Sequence, residues 1–247
     1  MSNDDFTDFG KSDILKSKKT SLVKNLFGEV SENYDLMNDL MSFGVHRLWK
    51  ESFIDWMAPR KNHHLLDLAG GTGDIGLSYL KRGGGKVTIA DLNFKMLSLG
   101  KDKHVSKNFN ERVFWLASNG ERLPFNDNYF DIVSISFGLR NISDKSLALN
   151  EIFRVLKPGG RFMCLEFSKV TTPFLDSLYQ LWSANVIPKL GDKISGQKTN
   201  YEYLVESIKR FPNQDELASL IRGSRFNLVK FRNLSGGIAA IHSGWKI

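Results

Sequence analysis

The stretch Asp67-Leu68-Ala69-Gly70-Gly71-Thr72-Gly73-Asp74 is the part of the chain best suited to hold a ligand. It joins a β-type run to a helical one, so the chain must reverse there, and glycine tolerates the positive φ that a tight reversal needs. Gly70, Gly71 and Gly73 also carry no side chain, which lets the backbone approach a bound group closely. Such a loop cradles a phosphate or an adenosyl ligand. Asp91 closes the next β-type run, where an acid accepts hydrogen bonds from both hydroxyls of a ribose. Loop and acid together also occur in dinucleotide-binding folds, and a tight turn with no ligand is the plain structural alternative. Farther on, Arg140 and Asn141 follow directly on the run Ile132–Ser136. Arg stays protonated and is a poor base, so this pair suits stabilising or orienting an anionic oxygen, with Asn141 as a donor. The alternative for Arg140 is a brace that holds the loop through a carboxylate. The histidines and Cys164 show no metal-ligand spacing, and no metal is expected.

These residues fall at the ends of alternating elements. His64–Leu68, Lys86–Ala90, Val113–Leu116, Ile132–Ser136 and Arg161–Phe167 read as strands, and Asp74–Lys81, Phe94–Lys107 and Asp144–Leu156 as helices. Alternating βα units imply an α/β fold with a doubly wound, mostly parallel sheet and helices on both faces. Ligands of such sheets bind outside the carboxyl ends of the strands, where the loop, Asp91 and Arg140 all fall. Lys157-Pro158-Gly159-Gly160 is expected to stop the helix after Leu156, with a glycine taking the positive φ of a cap. Ser21–Asp55 reads as helical, with Phe27, Val30, Tyr34, Met37, Leu40 and Met41 on one face. Pro173–Ile187 and Tyr201–Lys209 read as helices over the carboxyl edge, and Phe226–Arg232 and Gly237–His242 as closing strands. One domain over residues 1–247 follows: a helical N-terminal extension (1–60), a cofactor-binding core (61–170), a helical cap (171–222) and C-terminal strands (223–247).

The 247 residues carry 34 Lys and Arg against 27 Asp and Glu, a formal charge of +7, with 41% hydrophobic and 25% charged residues. Those shares are ordinary for a globular protein, and no run approaches the roughly 18 apolar residues of a membrane span. Met1–Gly10, with Asp4, Asp5 and Asp8, has neither the basic and apolar regions of a secretory signal nor the acid-poor character of a transit peptide. A cytoplasmic location is expected. Cys164, the single cysteine, sits among Phe162, Met163 and Leu165 and reads as a small core residue. A positive excess can serve nucleic acid or an anionic membrane. Outside the cluster Lys16, Lys18, Lys19 and Lys24 the basic residues are interspersed with acids and form no aromatic-interleaved stripe, so nucleic acid is not the expected partner.

Spacing within the loop separates the candidate ligands. A dinucleotide loop has three spaced glycines, whereas Asp67-x-Ala-Gly-Gly-Thr-Gly resembles the first motif of class I methyltransferases, which use S-adenosylmethionine. Ala69 departs from the glycine that many of them have there. Asn119–Phe125 followed by Phe130–Val133 fits the same resemblance. Denser still, Phe27–Val30, Tyr34–Ser42, Gly44, His46-Arg47, Trp49-Lys50, Ala90–Asn93, Ile135–Asn141, Arg154–Gly160, Leu165–Lys169, Tyr203–Ile208, Phe211-Pro212 and Gly237–Lys246 are similar to the ubiquinone/menaquinone biosynthesis C-methyltransferase family. Phe137–Asn141 and Tyr34–Asn38 are the most specific blocks. The endings Ser207–Pro212 and Ala240–Gly244 lean to the ubiquinone-type, mitochondrial-like branch.

That resemblance implies a Rossmann-like class I methyltransferase fold with a helical insertion over the active site and S-adenosylmethionine as methyl donor. It implies cofactor contacts from Gly71, Thr72, Gly73, Asp91, Asn119, Gly120 and Ser136. The implied acceptor is the ring of a polyprenylated benzoquinol (2-methoxy-6-polyprenyl-1,4-benzoquinol), of demethylmenaquinol, or both; another phenolic or lipid-like small molecule is the alternative. A quinol hydroxyl resembles tyrosine, with a pKa of about 10. An adjacent cation or donor favours the quinolate, whose charge reaches the ring carbon, and Arg140 and Asn141 are the candidates for that task. His46, Tyr34 and Tyr201 are candidates for the acceptor pocket, although such residues are more often packed and hydrogen-bonded. A polyprenyl tail lies in the bilayer, so peripheral association with the inner face of the membrane is expected through Lys16–Lys24 and Pro173–Ile187. Further expected partners are other enzymes of quinone biosynthesis and a second copy, as a homodimer.

Overall fold

The computed structural model describes residues 6–30, 34–42, 44–104, 111–185 and 198–247. A hairpin of β1 (Phe6–Phe9) and β2 (Ser12–Leu15) leads into three helices, α1 (Lys16–Val30), α2 (Tyr34–Ser42) and α3 (His46–Met57). The apolar runs of the middle chain then pair into one sheet. Parallel strands β3 (His64–Leu68), β4 (Lys86–Asp91), β5 (Val113–Ala117), β6 (Phe130–Ser136) and β7 (Leu156–Phe167) stand in the order β5-β4-β3-β6-β7. β9 (Ala239–Trp245) pairs antiparallel with β7, and β8 (Asn227–Leu234) with β9. Helices α4 (Asp74–Lys81), α5 (Phe94–His104) and α6 (Lys145–Val155) connect the parallel strands. α7 (Pro173–Asn185), α8 (Lys198–Arg210) and α9 (Gln214–Gly223) intervene before β8.

Why the strands read as near-continuous apolar runs is visible in their packing. Both faces of the sheet are covered, so successive residues enter opposite cores. Along β7, Phe162 and Cys164 join one cluster while Met163, Leu165 and Phe167 join the other. α3 packs on α4 and β7, and α8 packs on β1 and on the 3-10 turn Leu139–Asn141. None of the helices, among the described residues, is long and apolar enough to cross a membrane.

Several expected elements differ in extent. The stretch 21–55 is not one helix: Gly44 takes φ +76° and its N–H bonds Asp39 O at 2.9 Å, which ends α2 and redirects the chain into α3. α6 stops at Val155, where Leu156 is already extended. The positive φ of Gly159 (78°) therefore lies inside the irregular start of β7 and not at the helix cap. The far ends of Phe94–Lys107 and Pro173–Ile187 lie outside the described residues. The hairpin β1–β2 and helix α9 are additional. α9 carries a readable start signal, because Asn213 and Glu216 form a capping box.

Candidate active site

β3 and β6 are neighbours although β4 and β5 lie between them in the chain, so the strand order reverses at this pair and the loops beyond it diverge into a cleft. Cleft and mouth together hold about 1110 Å³ of empty space, the open solvent at the mouth included. In the loop after β3, Ala69, Gly71 and Gly73 all take positive φ, at 54°, 55° and 85°. The methyl of Ala69 fits because Gly138 has none; a Cβ on Gly138 would stand 2.5 Å from that of Ala69. Gly100 of α5 closes in from another side, where an added Cβ would lie 2.5 Å from Thr72 O. Asp67 ties the loop down. Its Oδ2 accepts from Gly76 N and its Oδ1 from Ser134 Oγ, both at 2.9 Å, and burial pushes the carboxyl up to about 7.

Around the cleft the polar groups are arranged for an adenosyl ligand. Asp91 accepts from Gly71 N at 2.9 Å and Asn93 N at 2.8 Å, and burial raises its pKa. Asn119 Oδ1 accepts from Glu121 N at 2.9 Å, which fixes its side chain at the end of β5. Gly120 leaves a flat apolar floor: an added Cβ would meet Leu68 and Ile142 at 3.4 Å. The hydroxyl of Ser136 is buried in the cleft wall with no hydrogen-bond partner among the described residues. A buried polar atom of that kind calls for a partner, and a polar ligand supplies one. A carboxylate for the ribose, an apolar floor for the base and an orphaned hydroxyl beside β6 fit S-adenosylmethionine.

Residues 14–246 match the ubiE/COQ5 methyltransferase family. The chain is 48% identical over 242 residues to the ubiquinone/menaquinone biosynthesis C-methyltransferase UbiE of Roseobacter denitrificans, covering 98% of this chain and 97% of that one. It is 46% identical to the enzyme of the same description from Brucella abortus, covering 97% and 90%. The chain belongs to the ubiE/COQ5 methyltransferase family. It is an S-adenosylmethionine-dependent C-methyltransferase. The fold is that of solved methyltransferases: an S-adenosylmethionine-dependent methyltransferase of Thermotoga maritima superposes with a TM-score of 0.65 at 20% identity, over 91% of this chain and all of that one. A Haemonchus contortus phosphoethanolamine N-methyltransferase, solved with S-adenosyl-L-methionine bound, gives 0.59 at 15%, over 80% and 52%. The Roseobacter and Brucella relatives are bacterial and carry the joint ubiquinone/menaquinone description, which corrects the leaning to a mitochondrial-like branch.

In this ubiE/COQ5 family member, Gly71, Thr72, Asp91, Asn119, Gly120, Ser136 and Asn141 meet in one cleft. Two of the expected residues do not line it. Gly73 sits at the N-cap of α4, where Trp115 and Ile89 would stand 2.7 and 2.8 Å from a Cβ, so it serves close packing. Arg140 is 1% exposed and turned into the fold. Its Nη1 donates to Glu166 Oε1 and to Phe137 O, both at 2.6 Å, and its backbone N–H to Glu166 Oε2 at 3.3 Å. These contacts to Glu166 are those of a brace that holds the loop through a carboxylate. Burying a guanidinium requires a carboxylate beside it, and β7 delivers Glu166 to that place. Asn141 faces the cleft instead, and its Oδ1 accepts from the hydroxyl of Tyr203 on α8 at 3.1 Å.

The cleft also has a wall that motif reading missed: Thr20, Val23 and Lys24 of α1 and Lys50 of α3. α1 is held there by tertiary contacts that leave no local signal, Asn93 Nδ2 to Lys24 O at 3.2 Å and Lys16 Nζ to Asp144 Oδ2 at 2.8 Å. Lys19 is fully buried against Asp8 Oδ1 (3.2 Å) and Arg140 O (3.4 Å), and burial together with Lys145 brings its pKa down to about 8. Only Lys18 and Lys24 of the basic cluster are exposed. His46 is buried with Nε2 2.9 Å from Asp39 Oδ1, and it borders a second cavity between α3 and α4. Tyr201 is buried away from the cleft wall, and the side chain of Tyr34 lies outside the described residues.

Proposed function

We propose that this chain transfers the methyl group of S-adenosylmethionine to a ring carbon of a polyprenylated benzoquinol (2-methoxy-6-polyprenyl-1,4-benzoquinol), of demethylmenaquinol, or of both. The observation that carries the reading is 46–48% identity, along nearly the whole chain, to bacterial C-methyltransferases of ubiquinone and menaquinone biosynthesis. Bound S-adenosylmethionine supplies an electrophilic methyl group on sulfur. The chain's own task is alignment and charge control. Asp91 holds the ribose, Asn119 and Gly120 the adenine, Gly71 and Thr72 the methionine end, and Ser136 the side facing β6. With its carbonyl oxygen occupied by Tyr203, Asn141 has its amide N–H groups left for an acceptor oxygen, where they favour the quinolate. Arg140, clamped by Glu166, is a positioning residue that sets the Leu139–Asn141 turn. Val23, Phe137 and Ile142 give that end of the cleft apolar walls that exclude water.

The same reading places the protein in the cytoplasm, peripheral on the inner face of the membrane, where a polyprenyl tail is available. Exposed Lys18, Lys24 and Leu22 on α1 and exposed Leu181 on α7 support it. The test of the function is single-turnover transfer of a labelled methyl group to short-tailed quinols, in parallel with simple phenols, a sterol-like lipid and RNA. Label on a ring carbon of a quinol is the expected result; label on another class of acceptor, with none on the quinols, overturns the proposal.

A further inference from the structure

We propose that Lys50 and Asp74 form the subsite for the amino-acid end of the bound adenosyl ligand, Lys50 taking its α-carboxylate and Asp74 its α-ammonium. The inference rests on S-adenosylmethionine as the ligand of this cleft. The orientation follows from the sheet: Asn119 and Gly120 follow β5 and Asp91 ends β4, so base and ribose lie on that side. What remains of the ligand must run toward β3, β6 and the start of α4. There the cleft presents Lys50, from α3, with Nζ 3.0 Å from Oδ2 of Asp74, the first residue of α4.

A zwitterion needs a cation and an anion close together, and the other acids of the cleft are engaged elsewhere. Asp67 is held by Gly76 and Ser134, Asp91 by Gly71 and Asn93, and Glu121 Oε1 accepts from Asp144 N at 2.8 Å. Inserting an α-amino acid between Lys50 and Asp74 exchanges one ion pair for two and leaves no charge buried alone. The carboxylate also meets the N-terminus of α4 and the backbone of Gly71 and Thr72, where negative charge is favoured. Exchange is easy at this position. The pair forms the shared border of the cleft and of the second cavity between α3 and α4, and Asp74 is 48% exposed in the pair.

The test compares two ligands that differ only at that end, S-adenosylhomocysteine and 5′-methylthioadenosine, by calorimetry on the full chain. Lys50→Met should weaken S-adenosylhomocysteine by about 10- to 100-fold, the range for one charged hydrogen-bonded contact, and leave methylthioadenosine within about twofold. The unchanged nucleoside affinity shows that the cleft is still folded. Lys50→Arg should restore most of the loss, and Asp74→Asn should repeat the pattern of Lys50→Met. Equal weakening of both ligands by Lys50→Met, or of neither, overturns the proposal. Failure of the wild-type chain to bind either ligand would instead remove the adenosyl reading on which it rests.

Discussion

Ala69 shows how a single methyl group is accommodated at the cofactor loop. A side chain at φ 54° is disfavoured by about 1–2 kcal/mol, and the space for it exists only because residue 138 is glycine. Gly138→Ala should therefore destabilise the fold by about 1–3 kcal/mol, the usual penalty for overpacking. Ala69→Gly in the same chain should recover most of it, as read from urea midpoints at unchanged m-value. Asp67 gives the second prediction at this scale. Its carboxyl, pushed up to about 7 by burial, holds a proton in the native state that the unfolded chain releases near pH 4. That contribution is complete below pH 4 and is lost as pH rises toward 7, so the carboxylate weakens the fold at neutral pH. Asp67→Asn keeps an acceptor for Gly76 N and a donor for Ser134, so its unfolding temperature should exceed that of the wild type by a margin that grows from pH 4 to 7 and then levels. A margin independent of pH would refute the assignment of a proton to Asp67. Residue types at the loop were readable because reversal and close approach restrict them; Gly100 was not, because its partner Thr72 is brought to it only by the sheet.

At the scale of elements, the turn Leu139–Asn141 is where β7, α8 and the N-terminal hairpin converge. Glu166 of β7 grips Arg140, Tyr203 of α8 orients Asn141, and Phe9 of β1 packs on the Tyr203 ring at 4.7 Å. Removing one half of a buried ion pair leaves the other charge stranded, at a cost of about 3–5 kcal/mol. Arg140→Ala should therefore lose stability and methyl transfer together. Tyr203→Phe should keep the fold, since only a hydroxyl goes, yet lower single-turnover methyl transfer by about 10-fold or more as the Asn141 amide loses its fixed direction. Unchanged turnover in Tyr203→Phe would remove Asn141 orientation from the mechanism. The strands of the parallel sheet were legible because runs such as His64–Leu68 send apolar side chains to both faces, and α4 because its start is set by the loop before it. The convergence was not. Arg140 was read from its place after β6, but its partner lies 26 residues on, and Tyr203 62 residues from Asn141, so neither pairing leaves a local pattern.

For the whole molecule, the net charge of +7 by itself says little about where the protein goes, because several of the lysines are held by groups inside the fold. Lys19 is buried, Lys16 bonds Asp144, and Lys246 caps the end of α6 through the carbonyls of Phe153 and Leu156 at 2.8 and 2.7 Å. What is left for a membrane is more local. Lys18 is exposed on α1 with Leu22 38% exposed, and Leu181 is 62% exposed on α7. An exposed lysine near an anionic bilayer contributes about 1 kcal/mol, and that contribution shrinks as the screening length falls from about 30 Å at 0.01 M salt to about 8 Å at 0.15 M. The expected outcome is flotation of the chain with anionic vesicles at low salt, weakening steadily as salt is added and absent with neutral vesicles. Lys18→Glu should lower the bound fraction at every salt concentration, because it replaces an attraction by a repulsion without touching the cleft. Leu181→Ser should lower it by an amount independent of salt, since only apolar contact is lost. The two variants separate the charge from the apolar part of the surface. No protein in the lipid fraction at 0.01 M salt, about the condition of strongest attraction, would overturn the proposed membrane association.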